Sequence, residues 1–131
     1  MAIEQPLFKI GLFPSDDDRS NTALNQFFGV QVGVAKNVVG TNTGNAAIVA
    51  PTAGGPIIGV LQNNPIQGEA CELTALGITK ARCTGAFSVG DALMVDAQGG
   101  FKKSDGGAST TTVAIAVEQG VSGAIVSVLL K

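Results

Sequence analysis

Valine, isoleucine and leucine alternate with small or polar residues along much of this chain, the period-two rhythm of half-buried strands. Val30, Val32 and Val34 alternate with Gln31, Gly33 and Ala35, and residues 46–50 and 57–61 are further short apolar runs. Residues 69–75 and 78–83 are predicted to pair as a hairpin turning at Leu76-Gly77-Ile78. The last third repeats one device. Residues 85–96 form a strand that runs into a Gly99-Gly100 turn, and residues 112–118 and 124–130 are two more strands. Loop composition marks residues 41–45, 51–56 and 63–65, and residues 106–111 make a flexible loop with residues 102–105 as its charged rim. Turns at roughly ten-residue intervals, with no long helical crossover between strands, predict an all-β fold, a small antiparallel sandwich or barrel.

The first 28 residues differ, and the expected organisation is an extended N-terminal arm, residues 1–28, followed by a β-domain, residues 29–131. Prolines at positions 6 and 14 bracket an apolar segment and hold its ends extended. Leu7, Phe8, Ile10, Leu12 and Phe13 are the candidate partner-binding residues of this arm, which docks on a neighbour or forms the first strand of its own domain. Beyond it, Ser15 fits a helix N-cap followed by Asp16, Asp17 and Asp18 at the positive end, with Gly29 as a stop. Ala23, Leu24, Phe27 and Phe28 would then share one helix face; a loop with a single helical turn is the alternative.

The 131 residues fit one domain, able to bury roughly two-thirds of its unfolded surface. With no Trp or Tyr and six Phe, the core is thin and aliphatic, which favours further burial between subunits. A net charge of −2 leaves no basic footprint for nucleic acid. Lys80 and Arg82 fall on one strand face and form at most a small basic spot, read first as solvation. No apolar stretch approaches the ~20 residues of a membrane span, and residues 1–6 lack the basic-then-apolar pattern of a secretory signal. Cys71 and Cys83 flank Gly77 symmetrically, so the expected hairpin would oppose them. Two buried thiols or a disulfide both fit, the thiols better in a reducing cytoplasm.

The absence of histidine removes every Ser-His and Cys-His nucleophile pair and every His-ligated zinc site. Asp16 to Asp18 lack the spacing of an EF-hand loop. Asp91 follows Gly90 and Asp96 precedes the Gln98-Gly99-Gly100 turn, as strand-end and turn residues do, and Glu69 and Glu72 fall on opposite strand faces. Eighteen glycines include no phosphate-binding loop. The expectation is a protein that is not an enzyme, takes no cofactor or metal, and works through its surfaces.

Several stretches carry a family resemblance: Ile58-Gly59-Val60, Gly68-Glu69-Ala70-Cys71-Glu72-Leu73, Gly77-Ile78, Gly90-Asp91-Ala92-Leu93, Gly99-Gly100 and the final Ala-Ile-Val-x-Val-Leu-Leu strand. Across residues 57–131 the chain resembles the capsid decoration, or head cement, proteins of tailed phages. The resemblance implies a β-rich structural protein on the virion capsid exterior, made in the host cytoplasm. Its partners would be the major capsid protein and its own copies in a homotrimer, with no nucleic acid and no membrane. It would reinforce contacts between coat subunits. The alternative is a β-rich binding module, such as a tail-fibre or a receptor- or carbohydrate-recognition domain, which should display an aromatic or acidic ligand cluster.

Overall fold

In a computed structural model the chain is all-β, and residues 5–14, 26–36, 42–49, 51–64 and 70–131 are described. Nine strands follow in order: β1 (Gln5–Pro14), β2 (Gly29–Lys36), β3 (Asn42–Val49), β4 (Gly59–Leu61), β5 (Ala70–Arg82), β6 (Ala92–Val95), β7 (Phe101–Lys103), β8 (Ala114–Ala116) and β9 (Ile125–Leu130). Their spatial order is β3-β2-β4-β5-β9-β8-β6-β7, with β1 added on β5, and every named strand pairing is antiparallel. The β7 end of the path curls back to the end of β5. Phe101, opening β7, bridges to Cys83 just past β5, and Thr84 N–H donates to Phe101 O at 2.9 Å. The sheet thereby becomes a nearly closed barrel rather than a sandwich.

Alternation along the strands fills the barrel. Ala81, Leu93, Val95, Ala114, Val126 and Val128 belong to the main buried cluster around Phe101, the largest fully buried side chain. A second, smaller cluster holds Val30, Leu61, Cys71 and Leu73. Val60 belongs to the first cluster and Leu61 to the second, so successive residues of β4 serve opposite faces. β4 is therefore a dividing strand, buried on both sides, which is why its three residues are all apolar or glycine.

Three expectations change, and a fourth segment takes one of its two expected forms. The hairpin about Gly77 is one continuous 13-residue strand, β5. Gly77 does have a φ of +97°, a conformation common in turns, but β1 and β9 both pair with the backbone there and carry the strand through. Residues 42–45 open β3 instead of forming a loop, because they continue the hairpin with β2. Residues 102 and 103 lie in β7, paired with Met94 and Leu93. The apolar segment of the arm forms β1, whose backbone runs antiparallel to β5 of the same chain from Gln5↔Ile78 to Pro14↔Ala70. The helix expected after Ser15 lies outside the described residues.

Candidate interaction surface

Strand register lines up a row of aliphatic residues on the outside of the barrel. Ile78 on β5 pairs with Leu129 on β9, Leu129 with Ile115 on β8, and Ile115 with Ala92 on β6. Their sequence neighbours Thr79, Val128, Ala114 and Leu93 are buried, so this row occupies the opposite, outward side of the pleat. Leu129 is 42% exposed, and Val117 and Ile125 on the same side are 40% and 38% exposed. Leu76, two positions before Ile78, is 47% exposed. Val89 and Val121, which lie in loops, are more exposed still, but the residues on this face are aligned by strand pairing and make it the candidate interaction surface.

The outer surface at β6 is treated differently. Met94 on β6 is only 5% exposed although its neighbours Leu93 and Val95 take the inward positions. The 51–56 loop lies over it. Gly54 N–H donates to Val95 O at 2.8 Å, and the Met94 methyl group lies 3.5 Å from where a Gly54 Cβ would stand. The 51–56 loop thus covers Met94, whereas on the β5-β9-β8 face Leu129, Val117 and Ile125 stay exposed while Ser127, between Ile125 and Leu129, is buried.

The polar groups around this face are engaged. Lys80 Nζ lies 5.8 Å from the centre of the Phe27 ring and the Arg82 guanidinium 5.9 Å from that of Phe28. The expected basic spot is therefore a pair of cations resting on aromatic faces beside the apolar row. Where β8 ends, Glu118 takes over its hydrogen bonding: its carboxylate accepts Ser127 N–H at 2.7 Å, which holds the carboxyl below the usual range. Behind the face, Gln62 Nε2 donates to Thr79 Oγ1 and to Val60 O, each at 3.0 Å, so the buried Thr79 hydroxyl has its partner.

Three aspartates serve turns. Asp91 accepts Ser88 N–H at 2.9 Å and pairs with Lys103 at 3.2 Å, and these two contacts depress its pKa. Asp96 accepts the N–H groups of Gln98 and Gly100, both at 2.9 Å, and so shapes the expected Gly99-Gly100 turn. Asp105 accepts Gly107 N–H at 2.9 Å and the Thr110 hydroxyl at 2.7 Å, which also lowers its pKa. Among the described residues no three Cys, Asp or Glu converge as a metal site.

Neither cysteine is in a disulfide, and both are buried. With β5 continuous, they stand twelve positions apart along one extended stretch at roughly 3.3 Å per residue, so the expected cross-strand opposition does not occur. Cys71 belongs to the small cluster and Cys83 to the large one, where burial pushes its thiol up to about 11.

The sequence-predicted partner-binding residues Leu7, Phe8, Ile10, Leu12 and Phe13 all fall within β1; Phe8, Ile10 and Phe13 are in register with β5, and Leu7 and Leu12 fall at its register shifts. Asp16, Asp17, Asp18, Ala23, Leu24 and Glu69 lie outside the described residues. Sequence reading did not single out Leu129, Val117 or Ile125; their alternation with buried neighbours was visible, but their exposure was not.

No protein-family model matches the chain, and no curated protein sequence is significantly similar to it. Among solved structures it is similar to the N base of the head fiber gp8.5 of bacteriophage phi29, with a TM-score of 0.71 over 95% of each chain. The two share a fold. At 13% identity the likeness to the head-fiber base is one of backbone architecture, and the aliphatic row is described for this chain alone.

Proposed function

We propose that this chain is a structural virion protein bound to the outside of an icosahedral phage head. The observation that carries the reading is the fold shared over 95% of both chains with a phage head-fiber base. The resemblance of residues 57–131 to capsid decoration proteins leads to the same location by a separate route. In the finer form of the proposal, the protein binds the major capsid protein as a homotrimer and reinforces contacts between coat subunits. It works without catalysis or cofactor and engages neither nucleic acid nor membrane.

The neighbour's role as the base of a fiber favours a second reading, in which the chain is an attachment base that carries an appendage and adds no strength to the shell. One preparation of particles tests both. Quantitative mass spectrometry should find the chain in purified virions at a copy number approaching that of the shell protein. Particles made without it should then burst at lower temperature if it is cement, and at unchanged temperature if it is only a base. Absence from virions would overturn both readings.

A further inference from the structure

We infer that residues 81–95 and 114–128 are two repeats of one strand-turn-strand unit, related by a local two-fold axis, and that they clasp each other so that neither turn opens alone. The clasp is independent of the virion role proposed above and concerns how the barrel holds together.

Reciprocal hydrogen bonds define the repeat. Gly90 N–H donates to Ala116 O at 2.8 Å, and Gly123 N–H donates to Cys83 O at 2.9 Å. Cys83 N–H donates to Ala124 O at 2.8 Å, and Ala116 N–H donates to Asp91 O at 3.0 Å. Each bond has a counterpart in which both residues are exchanged for those 33 positions away in the other repeat. Strand pairing obeys the same exchange. Arg82↔Ile125 and Ala81↔Val126 join β5 to β9, and Ile115↔Ala92 and Ala114↔Leu93 join β8 to β6. Only a two-fold operation sends every bond to its counterpart and back. Its axis passes between Phe87 and Gly120, which exchange N–H···O bonds of 3.1 and 3.0 Å with each other.

Side chains and turns follow the same symmetry. Ala81 with Ala114, Leu93 with Val126 and Val95 with Val128 all lie in the large buried cluster. Ser88 O accepts Asp91 N–H at 3.1 Å in one turn, and Val121 O accepts Ala124 N–H at 3.0 Å in the other. Gly90 and Gly123 both have a φ of +86°, where glycine meets no steric cost. On the axis the repeats must differ, because a Cβ on Gly120 would overlap the Phe87 ring. Only Ala81 and Ala114, Gly90 and Gly123, and Val95 and Val128 are identical between the repeats, so the symmetry is invisible in the sequence.

The first strand of each repeat pairs with the second strand of the other, and each turn is tied to the opposite repeat. Lifting residues 88–91 breaks both bonds to Ala116, and lifting residues 121–124 breaks both bonds to Cys83. The Phe87–Gly120 pair joins the bases of the two turns, so displacing one displaces the other. One brace is not shared. The Asp91 carboxylate accepts Ser88 N–H at 2.9 Å and pairs with Lys103 at 3.2 Å, whereas Ala124 stands at the equivalent position. Turns that opened separately would therefore differ in protection.

Amide hydrogen exchange of the unaltered full chain, read residue by residue by NMR, tests the clasp. Gly90 and Gly123 should open with the same free energy and the same dependence on denaturant. Unequal opening free energies overturn the clasp, because each turn would then be answering to its own bonds alone. Asp91→Ala puts at position 91 the residue found at position 124, and should speed exchange at Gly123 by the same factor as at Gly90. Acceleration confined to Gly90 overturns the clasp; where neither amide moves, the wild-type comparison decides.

Discussion

At Gly99 the backbone φ is +96°, Gly29 N–H donates to Gly99 O at 2.8 Å, and an added Cβ would overlap the Gly29 carbonyl oxygen. Gly99→Ala therefore combines left-handed strain with a clash against immobile backbone, and should cost about 3 kcal/mol or more in urea unfolding. A loss under about 1 kcal/mol would mean that the turn relaxes freely. Glu118 supplies a test of sign. Its folded pKa lies below the ordinary 4.5 because the carboxylate accepts Ser127 N–H. The group therefore contributes stability that is fully present above 4.5 and lost as pH falls through the lower, folded value. Glu118→Gln should be less stable than the wild type at neutral pH, and the gap should close in acid. A gap that is constant with pH would show that the charge is irrelevant. Burial raises the Cys83 thiol to about 11 and leaves it 1% exposed, so a disulfide-exchange reagent at pH 8 should label Cys83 only after unfolding. Prompt labelling of the native protein would contradict that burial.

Individual strands show where sequence reading succeeds and where tertiary partners overrule it. β2, β4, β6, β8 and β9 all fall within segments whose apolar pattern predicted them. The Asp96 turn was equally legible, since Asp followed closely by two glycines leaves few alternatives. β5 was not, because a glycine flanked by two strand-like runs reads as a turn when only local residues are weighed. Pairing on to β1 and β9 decides otherwise. β7 was missed for a related reason. Phe101-Lys102-Lys103 carries two charges in three residues, and only the burial of Phe101 draws it into the barrel. The candidate surface was legible only as alternation; that Met94 is covered while Leu129 is exposed depends on where the 51–56 loop lands. A prediction follows for β1. Removing residues 1–14 strips the partner from β5 between Ala70 and Ile78, so the truncated chain should melt at a lower temperature. An unchanged melting temperature would mean that β1 contributes nothing to the domain and is available to a partner.

The molecule has two buried clusters but one frame. β5 supplies Cys71 and Leu73 to the small cluster and Ala81 to the large one, and β4 gives Leu61 to the first and Val60 to the second. Neither cluster can lose its strands without withdrawing residues from the other. The chain should therefore unfold in a single transition, with fluorescence-labelled and circular-dichroism curves coinciding. Leu73 and Leu93 are both fully buried, one in each cluster, and Leu→Ala at either should cost about 2–5 kcal/mol. If the clusters are coupled as β4 and β5 require, each substitution lowers that one transition and leaves its slope with denaturant unchanged. A separate early transition in Leu73→Ala, with β9 amides still protected from exchange, would show instead that the small cluster melts alone.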